Sequence, residues 1–267
     1  MSELLRANIV AHLAFYRRSR LLLAFLILFA VLTALEFVPQ IFVPSGVQKF
    51  NTLREVFSTL NFFLMVFAAG LGLFIISAHL RSRSLKMVFT KPCPPAVWLL
   101  SAFLAAVLVA FLLNVIVFGG VTVLSLLWHI PVRSGLVFIA ADTFTVSIGL
   151  VAYLMLLSTL LHPAIAAILA IIFNAEMFYG GLLWARSAIH AGNHSAGLHA
   201  LERVFHVLYL AAPIIRPFGK NTESIYLSLR VMHGEWKYLL YSLGYSLALS
   251  AVCYLIALGS LQRKKHI

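Results

Sequence analysis

The stretch LRSRSLKMVFTKPCPPAVWLLSAFL, residues 80–104, decides how the whole chain is read, because it sets a basic segment and three prolines between two long apolar runs. At about 100° per residue, Leu85, Val88 and Phe89 share one face and Arg83, Lys86 and Thr90 the opposite one, so residues 83–90 are expected to form a short amphipathic helix. Ser82 or Ser84 is placed to cap it. Pro92 disfavours helical geometry at Lys91, whereas Pro94 and Pro95 suit the first turn of the helix that follows. The stretch reads helix, break, helix.

Composition says what lies on either side of it. Of the 267 residues 62% are hydrophobic and 10% charged, and the mean hydropathy is +1.00. A soluble domain is apolar over only about half its residues, so a polytopic membrane protein is expected. The net charge of +12 then belongs to lysines and arginines that flank spans and meet anionic headgroups. Nucleic acid is not an expected partner, since no basic run is interleaved with exposed aromatics. Cys93 and Cys253 make neither a disulfide framework nor a cysteine metal motif. The first apolar run lacks a small-residue cleavage site and is long enough to span, so no cleavable signal is expected.

Taken in order, residues 1–20 read as an interfacial helix of weak amphipathicity, its apolar positions scattered around the axis. Spans are expected at about 21–43, 56–79, 97–128, 136–161, 164–184 and 237–261, each long enough for a hydrocarbon core of about 30 Å. The third is longer than needed, and Gly119 and Gly120 mark where it is expected to kink or leave the bilayer. Only His162 and Pro163 separate the fourth from the fifth, which predicts an antiparallel hairpin. The outer loop, 187–236, contains an amphipathic helix, 199–211, with Leu201, Val204, Phe205 and Leu208 opposite His199, Glu202, Arg203 and His206. That helix is expected to lie in the interface or re-enter it.

Six spans place both termini and the 80–96 segment on one side. The short segments there carry eleven basic residues (Arg6, Arg17, Arg18, Arg20, Arg81, Arg83, Lys86, Lys91, Arg263, Lys264 and Lys265) against Lys49, Arg54 and Arg133 opposite. The richer side is expected to be cytoplasmic.

A basic amphipathic helix ending in Thr90, Lys91 and Pro92, followed by the apolar run from Val97, resembles the cytoplasmic coupling segment of ABC-2-type permeases, the membrane subunits of ATP-driven exporters. The order of interfacial helix, two spans, coupling helix, three spans, long outer loop and last span extends the resemblance over nearly the whole chain. It implies an all-α permease subunit in the plasma (inner) membrane that is not itself an enzyme. It further implies that Arg83, Leu85, Lys86, Val88, Phe89, Thr90, Lys91 and Pro92 engage a cytoplasmic ATPase, which would hold the ATP and magnesium. A second permease copy or paralogue completes the assembly that it implies. The chain itself has no P-loop, since Gly219 and Lys220 are followed by Asn221 and lack the upstream glycine.

Three carboxylates, Glu36, Asp142 and Glu176, fall in apolar runs, where insertion costs about 2.5–3.5 kcal/mol at the bilayer centre. The favoured reading is helix-to-helix hydrogen bonding with partners such as Asn114, Asn174 or Tyr179; the functional one is a polar exit path or a proton-linked site. The alternative protein class is therefore an ion-coupled secondary transporter or channel, although no convincing internal repeat supports it, and a third is a membrane scaffold. His190, His194, His199 and His206 lie in the outer loop at spacings able to hold a metal ion, but nothing in the sequence fixes them together, so no metal site is expected.

Overall fold

A computed structural model describes residues 2–18, 20, 23–24, 27–28, 30–31, 34–35, 46–81, 94–191, 195–214 and 219–265. The coupling segment from Arg83 to Pro92, most of the expected first span including Glu36, and His194 lie outside these residues. Among the described residues the protein is all-helical, with no strand. Five stretches of the described residues are long and apolar enough to cross a membrane: Lys49–Ser77, Pro95–Leu127, Ser134–Leu160, Pro163–His190 and Trp236–Arg263.

The helices in chain order are α1 (Ser2–Arg18), α2 (Gly46–Arg81), α3 (Pro95–Leu127), α4 (Ser134–Leu160), α5 (Pro163–Ile172), α6 (Ala175–His190), α7 (Ala196–Ala211), α8 (Gly219–Ser228) and α9 (Trp236–Lys265). The bundle is built around α4. Within its most apolar window 78% of the residues are buried, against 50% for α2 and for α3 and 22% for α9. Because lipid is as apolar as leucine, close backbone packing rather than hydrophobic sorting has to hold such helices together. Small residues permit it. A Cβ on Gly72 of α2 would stand 2.7 Å from the Val151 carbonyl of α4. On the other flank Ser242, Ser246 and Ser250 form a buried stripe along α9, and Ser250 Oγ donates to Ser246 O at 2.7 Å within its own helix.

Pro94 and Pro95 open α3 as the sequence predicts. Gly119 and Gly120, where a kink or an exit from the bilayer is expected, do not interrupt the helix, and α3 runs through both to Leu127. Each glycine costs about 1 kcal/mol of helix propensity, less than a helix would lose by unpairing its backbone in an apolar setting. The chain turns only after Leu127, with His129 in the left-handed region at φ 57°.

The weak amphipathicity of α1 conceals a docked face. Tyr16 and His12, one turn apart, are 2% and 4% exposed. The Tyr16 hydroxyl donates to Leu71 O of α2 at 3.4 Å, His12 meets the Trp98 ring of α3 edge-on at 5.7 Å, and Phe15 stacks on Phe74 at 5.6 Å. Burial pushes the Tyr16 phenol well above its ordinary range, so it stays a neutral donor. Thus α1 is clamped to the last turns of α2 and the first turn of α3, the end at which residues 82–93 connect them.

The fourth and fifth spans are joined tightly at His162 and Pro163 as expected, yet the hairpin is not the main packing of α4, whose largest contacts are with α9 and α2. The second arm is also in two pieces. Asn174 interrupts it: its Nδ2 donates to Ile171 O at 2.7 Å, closing α5, while its Oδ1 accepts from Met177 N at 2.9 Å, capping α6. The freed backbone is re-satisfied by neighbours. Tyr153 Oη of α4 donates to Phe173 O at 3.0 Å, and Ala175 N donates to Pro213 O at 3.1 Å. Ten residues of α5 rise about 15 Å, half of a hydrocarbon core of about 30 Å.

Candidate functional site

Around this break the long loop folds back into the bundle. Helix α7 runs antiparallel to α6, since Arg186 pairs with Glu202 (Nε to Oε1, 3.0 Å), Gly181 faces the Phe205 ring and Tyr179 meets Tyr209 at 5.6 Å. Tyr245 Oη of α9 then accepts from Ile214 N at 2.9 Å. The end of the loop helix therefore returns to the level of Asn174.

Beyond it, α8 is pinned across the start of α4. Gly135 N donates to Leu229 O at 3.0 Å, Arg133 Nη1 donates to Ser228 O at 2.8 Å and Val231 N to Ser134 Oγ at 3.3 Å. Leu229, which is 1% exposed, takes φ 53° to end the helix. Arg133 also covers the Phe50 ring of α2, its guanidinium 4.4 Å from the centroid.

Two turns into α4 sits Asp142, 7% exposed. Its Oδ2 accepts from Tyr226 Oη of α8 at 2.8 Å and its Oδ1 from Ser242 Oγ of α9 at 3.2 Å. The carboxylate thus ties three helices into one node, and two hydroxyl donors compensate the burial of its oxygens. Asn114, expected among the carboxylates' partners, instead donates from Nδ2 to Ala140 O at 3.0 Å, and Asn174 serves as the cap already described.

On the other side of Tyr226 a cleft of about 280 Å³ opens between α2, α4 and α8. Arg54, Glu55, Ile139, Tyr226 and Leu227 are among the residues that line it, as is Asn61, which is 1% exposed. Among the described residues neither Asn61 Nδ2 nor Asn61 Oδ1, both sealed from solvent, has a hydrogen-bond partner.

The other sequence candidates are scattered. Glu176 lies in the first turn of α6, its side chain outside the described residues. His190 ends α6, and His199 and His206 lie on α7. Among the described residues no three metal-ligating side chains converge. Tyr226, Ser242 and Asn61 were not singled out by the sequence. Serines at 242, 246 and 250, four apart in an apolar run, carry a readable signal for one of them, as does an amide in the run Leu60–Asn61–Phe62–Phe63 for another. Comparison with known proteins adds nothing to these observations, because no family model and no curated protein sequence matches the chain.

Proposed function

We propose that the chain is the permease subunit of an ATP-driven transporter of the ABC-2 type, an exporter with six spans, its termini and the 80–96 segment cytoplasmic, working with a second permease copy or paralogue. The observation that carries this reading is the clamp of α1. Tyr16, His12 and Phe15 fasten it to Leu71 and Phe74 of α2 and to Trp98 of α3, the two helices on either side of the basic segment. A partner pushing on residues 83–91 would therefore move α1, α2 and α3 as one body rather than bend a loose loop. The first span, at about 21–43, supplies the sixth crossing between α1 and α2. The mechanism is alternating exposure: closure of ATP-bound ATPases tilts the coupled spans and opens a path between two permeases.

A second reading has its own support. A span broken at Asn174 and a buried carboxylate at Asp142 are the parts from which ion-coupled transporters are built. Transport by the reconstituted permease with its ATPase separates the two. We expect Asp142→Asn, which keeps an acceptor oxygen for Tyr226, to leave ATP-driven transport within about twofold of wild type, as a conserved neutral hydrogen bond allows, with no response to an imposed pH gradient. Proton-driven uptake that needs no ATP and is lost in Asp142→Asn would establish the second reading instead.

Orientation follows from the charge count. In a variant lacking Cys93 and Cys253, a cysteine at position 86 should react with an impermeant maleimide only after the membrane is opened. Labelling of that cysteine in intact cells would reverse the assigned topology.

A further inference from the structure

We propose that α6 and α7 form a rigid hairpin that swings on the bundle about a hinge made by residues 173–175 and 212–214. Phe173 and Asn174 leave helical geometry where the chain enters the hairpin, and Ala212 is extended (φ −80°, ψ 147°) where it leaves, so neither crossing is stiffened by a continuous helix. Ala175 N donates to Pro213 O at 3.1 Å, which ties the two crossings together. Beyond them the hairpin has a small core of its own. Leu182 and Ala185 of α6 and Leu198 of α7 are buried yet lie outside the continuous core of the bundle. Gly181 admits the Phe205 ring, and Arg186 pairs with Glu202. Among the described residues the main packing of either helix is on the other, whereas α5, the first half of the same apolar run, rests on α4 and α2.

The hinge is pinned to two different helices. Tyr153 of α4 donates its hydroxyl to Phe173 O at 3.0 Å, whereas Tyr245 of α9 accepts from Ile214 N at 2.9 Å. The incoming crossing therefore follows α4 and the outgoing one follows α9. Because Ala175 and Pro213 hold the crossings together, a slide of α9 along α4 turns the hairpin instead of parting them. The lever is long. The 16 residues of α6 rise about 24 Å, so a turn of about 15° carries its far end about 6 Å. Ser242, which donates to Asp142, lies three residues before Tyr245 on α9, so the pin and the node at Asp142 share one turn. Asn174 suits the pivot because one side chain closes α5 and caps α6, which keeps both helix ends paired while the torsions between them change. The hinge does not depend on the permease reading, and no ATPase is needed to observe it.

Spin-label pairs on the full-length chain lacking Cys93 and Cys253, reconstituted in phosphatidylcholine nanodiscs, measure the swing by double electron–electron resonance. Leu160, His190, Leu210 and Leu240 are exposed and carry the labels after replacement by cysteine. The 160–240 pair lies within the bundle, the 190–210 pair lies within the hairpin, and the 190–240 pair joins the two. The two internal pairs should give narrow distance distributions, and the 190–240 pair one about 6 Å broader, the displacement of the hairpin's far end. Asn174→Leu should narrow it to the width of the internal pairs, because a helix continued through position 174 gives Ala175 N to Ile171 O and takes it from Pro213. Tyr245→Phe, which removes only the pin on Ile214, should broaden it further with the 160–240 distance unchanged. If Asn174→Leu disturbs the 160–240 distance, Tyr245→Phe alone decides. A 190–240 distribution as narrow as the internal ones, a 190–210 distribution as broad as the 190–240 one, or a 190–240 width indifferent to the deciding substitutions would overturn the proposal.

Discussion

Replacing Gly135 by alanine is expected to lower unfolding stability by about 3 kcal/mol, the order of three lost hydrogen bonds and a forced repacking. A Cβ at this position would be driven into the backbone of Leu229, which cannot swing aside as a flexible side-chain tip would. The first turn of α4 and the end of α8 must then part, and with them go the bonds from Gly135 N, from Arg133 to Ser228 O and from Val231 to Ser134. Tyr226 moves with α8, so Asp142 loses a donor as well. Gly119→Ala is the matched control, because nothing lies within 4 Å of the added methyl and helix propensity favours alanine by up to about 1 kcal/mol. Thermal unfolding in detergent, followed by circular dichroism, should show Gly135→Ala melting well below wild type and Gly119→Ala at or above it. Equal melting of the two variants would mean that α8 does not rest on α4 as described.

Why that contact escaped the sequence is instructive. Spans are legible because about 20 apolar residues in a row have few other uses, and the helix α7 shows in its two-faced pattern. The node at Asp142 was not legible. Its donors lie 84 and 100 residues away, and no local periodicity can say which hydroxyl of an apolar bundle will meet which carboxylate. Helix α1 misled for a related reason: the residues it buries, His12 and Tyr16, are amphipathic types that a hydrophobicity pattern does not count as core. At Gly119 and Gly120 the low helix propensity of glycine does not interrupt α3. At Asn174 a single polar residue ended a helix inside an apolar run, where its side chain could replace backbone partners on both sides.

The second large effect is expected at the segment with which the sequence reading began. Leu85, Val88 and Phe89 gain nothing by facing water, and the short helix expected there from the sequence would be marginal alone, so it would need a partner surface to hold it. If that surface is an ATPase, replacing Val88 and Phe89 by serine removes the apolar anchors and should weaken association at least about tenfold, the scale of a small hot spot, while the permease still inserts. Neutralising Arg83 and Lys86 should weaken association only modestly, and less so at high salt, because exposed charges are screened. The most direct measurement is co-purification of the chain from detergent with the cassette-type ATPase that the proposed function requires, scored by ATPase retained and by substrate-stimulated hydrolysis. The account predicts that wild type retains the ATPase and that Val88→Ser with Phe89→Ser loses it. A double variant that kept both the ATPase and its stimulated hydrolysis would reduce the 83–91 segment to a membrane-surface element and contradict the proposed function.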